Sequence, residues 1–489
     1  MSAYDVCSIL DKYNKIIAWG AGGYFEYYHR LLEGKITYIV DRNVDLHGKK
    51  KVGIPIKPLA ELEREQNKKE CLIVVFNAQF DEIFAESQAL GTFDIIDIKT
   101  IEALYERICG AEYHNYSEEG QLPVLICAGM HAMWEINGSR KFIDSQNGVL
   151  HRKGFNTLEV IPLKYYEECS CLKQYVAVSL NGKNWGILMI EDFIVQFSRV
   201  NSAIIHSLYY SHEILKILLE GIMVQKGILY YLHDYYCVCN NRFLYYQNKA
   251  CLDQHNKLCC SRCNNRNEQK NIYEFHQNLF DKYNVKLIAP SQHTAMLVHQ
   301  VYKNVETIVI PHLSFEETEY NKPHKKVERV AYIGGANRSK GWDEFKCIFG
   351  QLKNLYKFYC MGMYGKNDYI EEITYENVAI EQGKETLTMA EALKKNNIDI
   401  VFLGAIWPET FSYTYYEAFE AGCFVITNEL SGNICNQVKV NQNGIILKNT
   451  ADIIQWLSDK ENVSNIVAKM NRKISEVKAD ESFLEYIKE

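Results

Sequence analysis

The stretch IDIVFLGAIWPETFSYTYYEAFEAGCFVITN, residues 398–428, decides the fold. It opens on IDIVFLGAI, an apolar run with the length and β-branched content of a buried strand. A Trp-Pro turn follows at Trp407–Pro408. Pro408 and the acidic Glu409 suit a helix start, and EAFEAG closes that helix with Gly422 as its cap. A second apolar run, CFVITN, comes directly after. Strand, helix and strand in this order form a βαβ unit, whose parallel sheet is covered on both faces.

Working outward, the same plan recurs in three blocks. The first runs from KIIAWGAGGYFEYYHRLL through TYIVDRN and CLIVVFN, within residues 1–110. Residues 111–121, with the polar run AEYHNYSEEGQ, read as a linker. The second block, 122–312, holds LPVLICAG, NTLEVIPL, YVAVSL, SAIIHSL, GILYYLHD, VKLIAPS and TIVIPH. The third, 313–489, holds VAYIGG, KFYCMG, IDIVFLG, CFVITN and GIIL. It ends in a tail, 451–489, read as helical with no strand after it. A chain of 489 residues is too long for one core, and about three domains fit the length.

Composition excludes several functions. Hydrophobic residues make up 47% and charged residues 24%, an ordinary globular balance. Lysine plus arginine is 54 against 61 acids, which gives no reason to expect a nucleic-acid partner. The N-terminus MSAYDVCSILDKYNK has no apolar signal core, and no apolar run reaches membrane-spanning length. Sixteen cysteines without a secretory signal point to the reducing cytoplasm.

Two features of the third block carry chemistry. Glu409 and Glu417 have seven residues between them, the first at the mouth of a strand and the second along the helix. Carboxylates there suit sugar and ribose hydroxyls, and free amides at the helix start suit an anion. Read alone, they are two glutamates on a solvated face. Upstream, VAYIGGANRSKGWDEF ends a strand in Gly334–Gly335 and presents Arg338 and Lys340. Two cations beside glycines can clamp a diphosphate, although Arg-x-Lys in a loop is often only solvated.

Together these stretches resemble the C-terminal half of glycosyltransferase family 4, over roughly residues 122–480. Its members show a strand–glycine turn with a basic pair before Lys-Gly, then a Glu-x7-Glu helix followed by a Gly-x-Val strand. The resemblance implies an α/β fold of three Rossmann-like domains. The last two would form a GT-B glycosyltransferase, acceptor domain first and donor domain second, with the active site in the cleft between them. It implies retaining transfer from a nucleoside-diphosphate sugar to a glycan, lipid-linked or protein acceptor, in surface polysaccharide or glycoconjugate assembly. Arg338 and Lys340, with Thr410, Phe411 and Ser412, would hold the diphosphate. Glu409 would contact the donor sugar and Glu417 the ribose. Ser412 stands where the family commonly has glycine, but its amide remains. No Asp-x-Asp pair occurs in the chain, so metal-independent catalysis without a cofactor is expected. A lipid-linked acceptor would bring peripheral contact with a membrane, which no single basic amphipathic helix marks.

In the second block, His233 and Asp234 follow the strand GILYYL. On its own His233 is a capping histidine in a turn. The resemblance gives it a catalytic place facing the transferred sugar. Asn137, Gly138 and Ser139 form a turn similar to the family's glycine-containing loop near donor and acceptor, without its paired glycines. A cysteine-rich insertion, 237–263, follows His233. Cys239, Cys251, Cys260 and Cys263 suit a tetrahedral structural zinc, with free thiols and disulfides as the alternatives. Family members similar here also end such a segment in Cys-x2-Cys.

The first block follows its strand with Gly20, Gly22 and Gly23, and Asp41 ends the next strand. This approximates a dinucleotide fingerprint, except that Phe25 takes the third glycine position. It resembles small Rossmann-like domains on bacterial sugar-modifying enzymes, including the nucleotide-sugar-binding part of certain sugar acetyltransferases. A nucleotide ligand and a purely structural or docking role are both open. An NAD-dependent oxidoreductase or epimerase would need Tyr-x3-Lys or its like, which this block lacks. A third alternative is a non-catalytic partner protein that keeps the fold.

Overall fold

Apolar runs too continuous for a half-exposed sheet fold as parallel strands in the computed structural model of the chain. It describes residues 10–111, 121–129, 138–163, 175–206, 212–239, 241–246, 249–251, 266–318, 326–362, 369–376, 378, 387–469 and 474–488. By internal contacts the chain divides into two compact units, residues 1–140 with 147–225 and residues 141–146 with 226–489.

The first unit holds a six-stranded sheet in the order β3-β4-β2-β1-β5-β6. Its strands are β1 (Lys15–Trp19), β2 (Ile36–Val40), β3 (Lys50–Lys51), β4 (Ile54–Lys57), β5 (Cys71–Val75) and β6 (Asp94–Asp97). All pairs are parallel except the β3–β4 hairpin. That hairpin turns on Val52 and Gly53, both at positive φ, as a tight β-turn requires. The unit also contains β7 (Val124–Cys127), β8 (Thr157–Pro162), β9 (Tyr175–Leu180), β10 (Lys183–Met189) and β12 (Ala203–His206), in the order β10-β9-β8-β7-β12. The β12–β7–β8 pairs are parallel, and β9 and β10 add an antiparallel edge. A short parallel ribbon pairs β11 (Arg199–Val200) with β13 (Met223–Val224).

The second unit contains β14 (Ile228–Tyr231), β17 (Val285–Ala289) and β18 (Thr307–Val309), paired in parallel in that order. A small hairpin joins β15 (Tyr245–Tyr246) to β16 (Lys249–Ala250). The unit's six-stranded sheet is wholly parallel, in the order β22-β21-β20-β23-β24-β25. Its strands are β20 (Arg329–Ile333), β21 (Lys357–Met361), β22 (Thr374–Glu376), β23 (Ile400–Leu403), β24 (Phe424–Asn428) and β25 (Gly444–Leu447). Trp342, Phe345, Phe358 and Phe402 pack its core, and Tyr332 lies edge-on to Trp342 at 5.0 Å.

The expected α/β architecture with Rossmann-like parallel sheets is therefore present. One expectation fails at the tail: residues 474–479 form a strand, β26 (Ile474–Ala479), antiparallel to β19 (Leu313–Thr318), with Phe315 opposite Val477. ISEVKA is too polar to read as a buried strand, but a two-stranded ribbon needs only one partner and one apolar face. Among the described residues no helix is long and apolar enough to cross a membrane.

Candidate functional site

The site is built at the carboxyl ends of β20, β23 and β24, where open parallel sheets present ligands. After β20, Gly334 has φ +99 and the chain tightens into a 3-10 turn, Arg338–Lys340, capped by the Asn337 side chain on the Lys340 amide. Gly341 ends the turn at φ +87, and a Cβ there would stand 2.3 Å from the Gly404 carbonyl oxygen. Glycine is required at 341 twice over, by conformation and by close approach. The Ser339 carbonyl accepts from the Ile406 amide at 3.0 Å, tying the basic turn to the loop after β23.

That loop carries Glu409. It is fastened by residues following β24: the Asn428 amide donates to the Ala405 carbonyl at 3.1 Å and the Ser431 hydroxyl to the same oxygen at 2.7 Å. The Asn433 amide donates to the Glu409 carbonyl at 2.9 Å. Gly432, at φ +58, lies against Pro408 and Glu409, so that a Cβ would come within 2.6 Å of the Glu409 nitrogen. Sequence reasoning passed over Asn428, Ser431, Gly432 and Asn433. The signal was present in TNELSGN, a polar cluster just beyond a buried strand.

Glu409 is 2% exposed. Its carboxylate accepts from the Lys340 ammonium, whose side chain is 42% exposed and lies 5.3 Å from the centre of the Trp407 ring. Burial pushes the Glu409 carboxyl above the usual carboxylate range, and Lys340 opposes that shift. Arg338, 59% exposed, reaches Asp343 at 3.5 Å. The structure thus brings together three of the predicted residues: a buried acid, its ammonium partner and a guanidinium from the same turn.

The helix after the Trp-Pro turn starts later than the sequence suggested. It spans Tyr413–Glu420, with Ser412 as N-cap accepting from the Tyr415 amide, and Gly422 follows its end at φ +67. Pro408 and Glu409 lie in the loop before it, because Ser412 can cap with its hydroxyl while Glu409 is committed to Lys340. Among the described residues nothing accepts from the amides of Phe411, Ser412, Tyr413 or Thr414. Glu417 sits in the second turn, 3.3 Å from the Lys141 ammonium.

His233 follows β14. The Thr410 hydroxyl donates to its carbonyl at 2.7 Å, which latches the histidine turn to the Glu409 loop. The His233 ring is 5.1 Å from His312 and 5.4 Å from Phe142. His312 is 4% exposed, stacks on Phe142 at 4.0 Å and lies 4.5 Å from Phe411. Burial first, then the neighbouring His233, drives its pKa well below the usual histidine range. Among the described residues its two nitrogens have no hydrogen-bond partner. Sequence reading reached His312 only as the end of TIVIPH. A histidine straight after a strand-terminal proline was the available signal.

Gly138 and Ser139 open the helix Gly138–Arg152 rather than a turn, while Asn137 lies outside the described residues. Cys239 and Cys251 are half-buried, and Cys260 and Cys263 lie outside the described residues. In the first unit, Gly20 has φ +106 and a Cβ there would meet the Phe76 carbonyl at 2.9 Å, whereas Gly22 and Gly23 face open space. Phe25 is fully buried, its ring 5.0 Å from Phe76, so the third glycine position is filled by core. Asp41 accepts from the Ala21 amide at 2.7 Å and the Asn43 amide at 2.8 Å.

Comparison with known proteins places this arrangement. Residues 315–476 match the family described as glycosyl transferases group 1. A curated Klebsiella pneumoniae protein, an uncharacterized 42.6 kDa protein in the cps region, is 30% identical over 129 residues, or 26% of this chain. The match spans about a third of that relative, 32% of its length. Sucrose-phosphate synthase from Thermosynechococcus elongatus aligns over 72% of this chain and 93% of its own, at 14% identity and a TM-score of 0.47. Anabaena HepE, solved with UDP and glucose, aligns over 72% and 94% at 11% identity and 0.44. WaaG, a glycosyltransferase involved in lipopolysaccharide biosynthesis, aligns over 71% and 93% at 9% identity and 0.46. The family match falls on the stretch that holds Arg338, Lys340, Glu409 and Glu417.

Proposed function

We propose that the protein is a retaining, metal-independent glycosyltransferase of family 4 that takes a nucleoside-diphosphate sugar as donor. The observation that carries this reading is the contact of Lys340 with buried Glu409 beside Arg338, inside the segment matched as glycosyl transferases group 1. An ammonium has three protons to donate, so Lys340 can keep Glu409 and still reach a phosphate oxygen. Arg338 supplies the second cation, and the amides from Phe411 to Thr414 supply uncharged donors. Negative charge builds on the leaving diphosphate as the sugar becomes oxocarbenium-like. Cations and amides fixed at that oxygen stabilise it without a protein nucleophile. Glu409 takes a donor-sugar hydroxyl, His233 faces the transferred sugar, and Glu417 takes the ribose. Glycan, lipid-linked or protein acceptors in surface polysaccharide or glycoconjugate assembly follow from the family resemblance, as do a cytoplasmic site of action and any peripheral contact with a membrane. A structural zinc on Cys239, Cys251, Cys260 and Cys263 belongs to the same reading, without a step in catalysis.

Calorimetric titration of the full chain with nucleoside diphosphates and with NAD tests the donor. Wild type should bind a nucleoside diphosphate, and Glu417→Ala should bind it about tenfold or more weakly, the weight of one charge-assisted hydrogen bond. Binding of NAD and of no nucleoside diphosphate would overturn the reading.

A further inference from the structure

At the amino ends of β17 and β18, a pocket of about 520 Å³ opens beside the helix Arg266–Lys282. Its size lies within the range of small-ligand sites, roughly 300–1,000 Å³. Nothing in the glycosyl-transfer reading uses it.

Three of its side chains, Tyr273, Gln277 and Asp281, are spaced four residues apart and so share one helix face. They form a hydrogen-bonded row: the Tyr273 hydroxyl donates to the Gln277 carbonyl oxygen at 3.3 Å, and the Gln277 amide donates to Asp281 at 2.8 Å. Half-buried Tyr273 lies flat against Tyr302, with ring centres 5.6 Å apart and 12° between planes. Across from this row, the exposed turn before β18 contributes Lys303, Asn304 and Glu306.

The lining chemistry selects a ligand class. The charged members are Asp281, Glu306 and Lys303, and Glu306 pairs with Lys286 at 3.9 Å, so the lining is balanced in charge and offers no cluster of cations for phosphates, nucleotides or sulfated ligands. Amide groups on both sides offer paired donors and acceptors, the geometry that vicinal hydroxyls match. Aromatic rings supply an apolar floor, while the surrounding rim is too polar for a lipid chain. A ligand with an apolar face and a ring of hydroxyls satisfies all three. We propose that this pocket is an accessory site for a neutral saccharide. Its floor also connects to the catalytic loop, because the Tyr302 hydroxyl donates to the Cys237 carbonyl at 2.6 Å, four residues past His233. The site would keep a glycan attached to the enzyme away from the donor, and the proposal stands whether or not the donor reading does.

The test is binding of maltotetraose and chitotetraose to the full chain by saturation-transfer NMR and calorimetry, with UDP titrated in parallel. At least one tetrasaccharide should bind the wild type. Tyr273→Ala and, separately, Asn304→Ala should weaken that binding by about tenfold, with the UDP titration unchanged in both and the melting temperature unchanged in Asn304→Ala. Asn304 is on an exposed turn, so its variant folds even if removing the Tyr273 ring disturbs the helix. The proposal is overturned if neither tetrasaccharide binds, if Asn304→Ala and Tyr273→Ala both bind like wild type, or if a heparin-derived tetrasaccharide binds equally well.

Discussion

Two glycine turns in this chain follow one plan and use their polar groups differently. Each ends an apolar parallel strand in a glycine of similar conformation, Gly20 at φ +106 and Gly334 at φ +99, and each has charged side chains at hand. In the first turn those charges fold inward. Asp41 accepts from the Ala21 and Asn43 amides, and Lys51 donates to the Ala21 carbonyl and, at 2.7 Å, to Glu26. In the second, Arg338 stays largely exposed, Lys340 points to a buried acid, and the amides that open the next helix have no protein acceptor among the described residues. Both turns are the same local solution to leaving a parallel sheet. What separates them is how much hydrogen-bonding capacity remains for a ligand after the turn has satisfied itself. The second turn keeps more, and it does so beside a carboxylate that burial disfavours in its charged form.

The sharpest way to break this contrast is Glu409→Gln. The amide keeps the shape and the Glu409 carbonyl still accepts from Asn433, so the loop should hold. Turnover of the preferred nucleotide sugar should fall by about 100- to 1,000-fold, as when one preorganised electrostatic contact is removed. Unchanged turnover would remove Glu409 from the donor site. The same variant has a pH signature. Burial raises the folded-state pKa of Glu409, so the folded chain holds that proton more tightly than the unfolded one. Its contribution to stability is then greatest below the ordinary carboxylate range and is lost as pH rises through the raised value. Melting temperature against pH should therefore be flatter in Glu409→Gln than in wild type across that window.

Gly341→Ala tests the close approach on which the Arg338–Lys340 turn depends. A Cβ would meet the Gly404 backbone at 2.3 Å at a φ of +87, so neither side-chain repacking nor a rotamer change relieves it. A loss of about 2–4 kcal/mol is expected from strain and overpacking together, read by denaturant unfolding. Stability within experimental error of wild type would mean that the turn and the Gly404 loop are not held together as described.

How much of this was legible in the sequence follows from the range of the forces involved. Strands such as β1, β5, β20, β23 and β24 were read correctly because burial on both faces writes an unbroken apolar run. The acids and cations of the Arg338–Lys340 turn and the Glu409 loop could be singled out because each follows such a run. The ribbon of β19 with β26 was missed, since ISEVKA becomes a strand only by pairing with a segment some 160 residues earlier. The helix start was displaced from Glu409 to Ser412 for a similar reason. Glu409 is drawn away by Lys340, 69 residues upstream, which no local capping rule contains. His312 lay outside the candidate residues because its significance rests on Phe142, His233 and Phe411 meeting around it.

The smallest expected effect sharpens the comparison from the other side. At Gly22 a Cβ would find nothing within 4 Å, and the residue sits at φ −80, which any amino acid adopts. Alanine there restricts the unfolded chain, a gain of about 0.4–1 kcal/mol, and loses glycine's modest advantage at a helix N-cap, a cost of a few tenths. Gly22→Ala should therefore leave the melting temperature within about a degree or two of wild type. Its value lies in a second readout. If the first turn is structural, calorimetry with NAD and with UDP should be the same for variant and wild type. If the turn accepts a pyrophosphate, the added methyl would stand in the open space that the pyrophosphate needs, and one of those titrations would lose affinity while stability did not change. Asp41 still has lone pairs beyond its two amide contacts, so a ribose hydroxyl could join it without breaking the turn. A ligand-specific loss at Gly22, set against the stability loss at Gly341, would show that the two turns divide their roles by occupancy rather than by plan.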